Sequence, residues 1–285
     1  YCFAKYYDYA VWAPYGKTIV PCGSFDNGNV TLSYRNTNIQ CPQLPNTIGP
    51  SVGGSILITG TSAELDATSV LFTGCSPKAN SIACADFGGI IAALDGAKVF
   101  VNRSTFRGGT AKTHAGALFA EGLATQVSIN TVLFESNRAN VNYGGALMLY
   151  KGSDLSVVNS VFRNCSAEWD GGAVYVRDDA SASITTSMFV ANTAGRKGGA
   201  IHIESAEVTL SGGANVFVGN VGATSGDSIG KNVVAQLNFG VCPPGTFELV
   251  QAENFINHDF EGCPNTCDTS GVTTPNNYSE RKVDS

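Results

Sequence analysis

Phe106, Phe134, Phe162, Phe189 and Phe217 follow one another at steps of 28, 28, 27 and 28 residues. Ten or eleven residues after each stands the second member of a small-residue doublet: Ala115-Gly116, Gly144-Gly145, Gly171-Gly172, Gly198-Gly199 and the degraded Gly226-Asp227. Phe72 and Gly88-Gly89 repeat the pattern with about six extra residues between them, and Gly53-Gly54 reads as the tail of a turn before that. A fixed period with two landmarks in constant register is the signature of a chain built from stacked units, none of which can bury its apolar face alone.

Inside each unit the apolar residues alternate: Val127 and Ile129 before Phe134, Leu147 and Leu149 after Gly145, then Leu155/Val157 and Val174/Val176. That is the period of strands. Two or three short strands per unit, Gly and Asn at the corners and no helical segment predict an all-β fold, a right-handed parallel β-helix of six to seven coils of about 28 residues. It spans 51–230, after an aromatic, Cys-containing cap or docking segment (1–50) and before a Cys-rich extension (231–285). Stacking also predicts columns. Three residues after each Phe stand Cys75, Gly109, Asn137, Cys165, Asn192 and Asn220, small or amide residues suited to a corner where side chains hydrogen-bond along the stack.

Charged residues make up 14% of the chain, the net charge is −6, and basic residues come together only in short pairs such as Arg196-Lys197. This is not the surface of a nucleic-acid binder. No apolar run approaches the roughly 20 residues of a spanning helix, and the opening at Tyr1 without a Lys/Arg-flanked signal segment predicts a soluble, already processed chain. Nine scattered cysteines form no paired C-x2-C zinc knuckles, and disulfides suit them better. Cys75 and Cys84 bracket the extra residues of the first full turn and are expected to close that loop, which leaves Cys165 as a buried free thiol. Sequons begin at Asn29, Asn102, Asn164 and Asn277, so covalent glycans and an extracellular or cell-surface location are expected.

The motif Phe-x-x-Asn followed by Gly-Gly-Ala-Ile/Val/Leu occurs in Phe134-Glu135-Ser136-Asn137, Gly144-Gly145-Ala146-Leu147, Gly171-Gly172-Ala173-Val174, Phe189-Val190-Ala191-Asn192 and Gly198-Gly199-Ala200-Ile201. It resembles the repeats of the chlamydial polymorphic outer-membrane proteins, and the resemblance, over about 51–230, implies a β-helix passenger with an adhesive surface. Cys242-Pro243-Pro244-Gly245-Thr246-Phe247 with Cys263-Pro264-Asn265-Thr266-Cys267 resembles the ephrin-receptor-like Cys-rich modules of eukaryotic extracellular proteins.

Two columns carry the candidate chemistry. Two residues before the second doublet position come Phe87, His114, Tyr143, Asp170, Lys197 and Ser225; Asp170 beside Lys197, with His114 beyond, is the one constellation that could pass for an acid/base site of a polysaccharide lyase or glycoside hydrolase. The alternative is a salt-bridge ladder at a turn, and a non-enzymatic role is the main expectation. Three residues after the doublet, Ala92, Phe119, Met148, Tyr175 and His202 point away from the core, and a stripe of this kind predicts an interface or a covered surface. With Tyr6, Tyr7 and Trp12 of the N-terminal segment it is the expected surface for self-association into a filament or surface assembly. No cofactor loop is present, and the three histidines lie in separate units or the tail, which argues against cofactor and metal alike.

Overall fold

The computed structural model describes residues 23–26, 31–40, 53–74, 85–211, 215–232, 234–239, 255–256 and 260–262. They form a parallel β-solenoid with no helix among them. One coil contains four strands, for example β1 (Leu118–Glu121), β2 (Gln126–Asn130), β3 (Leu133–Glu135) and the two-residue β4 (Arg138–Ala139). Their counterparts in other coils build four sheets, here called the doublet sheet, the five-residue sheet, the Phe sheet and the short sheet. In the doublet sheet Ile91 lies opposite Leu118, Leu118 opposite Leu147, Leu147 opposite Val174, Val174 opposite Ile201 and Ile201 opposite Ile229, about five regular turns at a spacing of about 28 residues.

The stack begins upstream of residue 51. Gly23–Asp26, Thr31–Arg35 and Asn38–Gln40 add parallel rungs to the doublet, five-residue and Phe sheets. These rungs belong to longer turns, with Gly23 opposite Ile56 and Ile56 opposite Ile91. Ile39 takes the Phe position there, so the landmark residue is absent although the fold continues. At the far end Gln236–Phe239 extends the five-residue sheet past residue 230, and Phe255–Ile256 and Phe260–Gly262 pair antiparallel with the last rungs, closing edges that would otherwise template further strands.

The Phe column is the spine of the core. Phe72, Phe106, Phe134, Phe162, Phe189 and Phe217 are fully buried and stack face to face at centroid spacings of 4.4 to 4.8 Å. Burying each ring is worth about 1.5–3 kcal/mol. Beside it runs the amide column. Asn137 Oδ1 accepts from Gly109 N at 2.9 Å and its Nδ2 donates to Phe106 O at 3.1 Å; Asn220 likewise accepts from Asn192 N (3.0 Å) and donates to Phe189 O (2.9 Å). These side chains satisfy backbone groups that the corner would otherwise leave unpaired inside the protein.

One residue before that column the backbone turns left-handed in coil after coil: Gly108 (φ 64°), Ser136 (55°), Asn164 (53°), Ala191 (52°) and Gly219 (63°). A side chain there costs roughly 1–2 kcal/mol, which Gly avoids. Ala191 is exposed, so no packing compensates it. Ala191→Gly is therefore expected to stabilise the solenoid by about 0.5–1 kcal/mol in equilibrium urea unfolding.

Candidate functional site

The two candidate columns meet on the outer face of the doublet sheet. Strand alternation turns Leu118 and Ala120 into the main core and Phe119 outward, and the same holds for Met148, Tyr175 and His202, which lie in register. These outward side chains do not reach the surface: Ala92, Phe119, Met148, Tyr175 and His202 are all buried, with exposures of 4% or less. Of the two expectations for this stripe the covered surface holds, and the outward interface of Phe119, Met148, Tyr175 and His202 is corrected to a second, internal core.

The cover is the end of the short strand together with the stretch that leads from it to the next doublet. It carries Phe87 and Tyr143, which pack with Leu57, Leu94 and Tyr150 against that second core. The cover has its own hydrogen-bonded stack, from Asn142 N to Thr113 O (3.1 Å), Trp169 N to Asn142 O (2.9 Å) and Arg196 N to Trp169 O (2.8 Å). The first doublet residue makes the fold-back possible. It is left-handed at every doublet among the described residues, as at Gly144 (φ 66°), Gly171 (67°) and Gly198 (62°), and a Cβ on Gly171 would sit 3.1 Å from the Tyr175 Cβ.

The resulting seam is a ladder of rings. Phe87 and His114 lie 5.1 Å apart, His114 and Tyr143 5.4 Å, Tyr143 and Tyr175 4.4 Å, and Tyr175 and His202 5.5 Å. Trp169 meets Tyr143 edge-on at 5.5 Å and carries the Arg196 guanidinium 5.4 Å above its ring. The Tyr175 hydroxyl donates to Glu204. Glu204 and Arg177 are paired in strand register, but the Arg177 Nε lies against Asp178 at 3.1 Å. Column reasoning does not mark Glu204 as Tyr175's partner, nor Trp169; the one signal the sequence holds is a Trp directly before Asp170.

The acid/base constellation is rearranged. Asp170 accepts from the Lys197 backbone N–H at 3.0 Å, and its nearest ion-pair partner is Arg196 at 3.6 Å. The register places Lys197 correctly, but its main chain meets the carboxylate. Burial holds the Asp170 carboxyl above the usual range against the pull of Arg196. His114 and His202 are pushed down to about 4, chiefly by burial, with Arg177 near the first and Lys197 and Arg196 near the second. Neither Nδ1 finds a hydrogen-bond partner. Both imidazoles are therefore neutral at physiological pH, and the seam holds a set of desolvated, mostly packed groups in which the only large exposed ring is Trp169 at 38%.

Elsewhere, Cys165 takes an amide-column position as a buried free thiol. Its Sγ donates weakly to Phe134 O and Arg163 O, and burial pushes the thiol up to about 12, which makes it an inert packing group. Asn164 is exposed at its left-handed corner, and Asn102 is half-buried on the five-residue sheet. Cys75, Cys84, Asn29, Asn277, Tyr6, Tyr7 and Trp12 lie outside the described residues. Among the described residues no cluster of three or more His, Cys, Asp or Glu is placed to hold a metal ion, and no helix is long and apolar enough to cross a membrane. No family model, curated protein or solved structure matches this chain.

Proposed function

We propose that this chain is a glycosylated extracellular subunit whose solenoid acts as a stiff structural and adhesive rod and associates with further copies in a surface or filament assembly. The observation that carries this reading is the outer face of the Phe sheet. Its residues flank the buried rings, and towards the C-terminal coils they become apolar and open: Met188 is 41% exposed, Val218 45% and the neighbouring Val221 51%. On the preceding coils the same face carries an ion ladder, Arg107–Glu135 at 2.7 Å and Arg163–Glu135 at 2.5 Å. Open valines and a methionine on a sheet face next to fixed charges are suited to a contact between copies, with the apolar part excluding water and the charges setting register.

Three further features support the reading. Of the seam groups that resembled an acid/base site, His114 is packed among rings and Asp170 is held by the Lys197 main chain and the Arg196 side chain. The sequons fit a secretory route. The Gly-Gly-Ala and Phe-x-x-Asn repeats resemble those of the chlamydial polymorphic outer-membrane proteins, whose passengers are adhesive, and the Cys-Pro-Pro-Gly-Thr-Phe segment resembles a eukaryotic extracellular module.

The test is sedimentation velocity. Wild type should sediment as oligomers whose size grows with concentration, and Met188→Lys combined with Val218→Lys should return the protein to monomer with little change in melting temperature, since both side chains are open already. A wild type that stays monomeric at the highest attainable concentration overturns the assembly reading.

A further inference from the structure

The outer face of the five-residue sheet holds a groove that neither core uses. On the strand Lys98–Asn102 the alternation turns Val99 and Val101 inward and Lys98, Phe100 and Asn102 outward. Phe100 stays 37% exposed, and Asn102, two residues on and about 6.6 Å along the strand, opens the sequon Asn102-Arg103-Ser104. Register sets Asp66 and Ser128 on either side of Phe100, and Thr68 and Asn130 on either side of Asn102. Arg35 holds the Asp66 carboxylate through both terminal nitrogens at 2.9 and 2.5 Å and also bonds Thr68. Together these residues line an open groove of about 500 Å³, within the roughly 300–1,000 Å³ of small-ligand sites. An open aromatic face beside hydroxyl, amide and ion-paired groups is the chemistry that receives a sugar: ring C–H groups lie on the π face, while hydroxyl and acetamido groups find donors and acceptors at the edges.

We propose that the occupant is the innermost sugar of an N-linked glycan on Asn102 itself, folded back onto Phe100 and hydrogen-bonded across the groove. This rests on the reading of the chain as a secreted glycoprotein and goes one step further, making the glycan part of the fold. The bond forms when Asn102 Nδ2 attacks the anomeric carbon of a lipid-linked oligosaccharide, losing one amide proton and releasing the lipid pyrophosphate. The Ser104 hydroxyl donates to Asn102 O at 2.7 Å and accepts from Val70 N at 3.0 Å, and the residue is 4% exposed. The sequon serine is thus sequestered in the finished coil, so the transfer precedes packing of this coil on the one before. Asn164 shows why the aromatic alone is not enough. It too has a Phe two residues earlier, but Phe162 is fully buried in the ladder and offers no platform.

The experiment uses the full chain secreted from eukaryotic cells, with glycopeptide mass spectrometry at Asn102 and melting curves for wild type, Phe100→Ala, Asn102→Gln and the double variant. Asn102 should be occupied. Each single variant should melt about 2–4 °C lower, and the double variant no lower than the worse single, because both remove one contact. Trimming the glycan to its innermost N-acetylglucosamine should preserve the wild-type melting temperature, and the protons of that sugar should show ring-current shifts that Phe100→Ala abolishes. Unmodified Asn102 overturns the glycoprotein reading at this site. Occupied Asn102 with additive losses in the double variant and no ring-current shift overturns the seat alone.

Discussion

Gly172→Ala is expected to unfold the solenoid or to cost more than about 4 kcal/mol, whereas Gly108→Ala should cost about 1 kcal/mol. Both replacements add one methyl group. At Gly172 the new Cβ would lie 2.0 Å from the Gly199 carbonyl oxygen and 2.5 Å from that of Thr193, backbone atoms of the next coil with no side chain to swing aside. Relief requires the coils to separate, which breaks the rungs that hold Ala173 and Val174 to Ala200 at 2.9 Å. At Gly108 the Cβ meets nothing within 4 Å, and the cost is the left-handed φ of 64° alone. Urea unfolding of the two variants beside wild type checks the ranking. Equal destabilisation would mean that coil-to-coil contact does not select the second glycine of the doublet.

That contrast also explains how much of the molecule was legible from residues alone. The second doublet position and the Phe position are imposed by stacking, one because another backbone occupies the space of a side chain, the other because identical rings stack best on identical rings. Such constraints recur every turn and leave a period. The amide column was legible for the same reason, since Asn137, Asn192 and Asn220 each bond backbone of the preceding coil. The first coil was not, because Ile39 stands where the other coils have Phe. The cover over the doublet sheet was legible only as one of two alternatives. Alternation says which side of a strand a residue faces and nothing about whether chain lies beyond it. The covering residues change chemical type at each coil, from Phe87 to His114 to Tyr143 to Asp170, so they leave no pattern. Asp170 and Lys197 show the limit of column reasoning: register fixes which residues are neighbours, but whether an ammonium or a main-chain N–H meets the carboxylate depends on side-chain direction.

The seam makes the fold sensitive to acid. His114 and His202 titrate near 4 in the folded chain, against about 6.5 when unfolded, so the unfolded state takes up protons first as pH falls. Their contribution is fully present above pH 6.5, declines between 6.5 and 4, and is gone below 4, where both states are protonated. Taken alone, each shift corresponds to about 3 kcal/mol; allowing for solvent near His114, which is the less enclosed, a combined loss on the order of 4 kcal/mol is expected. Asp170 opposes this, since its carboxyl is raised by burial and its protonation on the way down relieves a desolvated charge. The facing groups confirm the direction for the imidazoles: His202 lies by Tyr175, Lys197 and Arg196, and His114 by Phe87, Tyr143 and Arg177, so no carboxylate is among the groups that set either shift. Melting temperature should therefore drop by roughly 10 °C from pH 7 to pH 4. The variant His114→Phe with His202→Phe keeps an aromatic ring at each place, lacks the ionisable nitrogens, and should lose most of that dependence. If the double variant melts with the same pH slope as wild type, the acid response arises elsewhere, and the buried imidazoles are packing groups whose unpaired nitrogens cost the fold little.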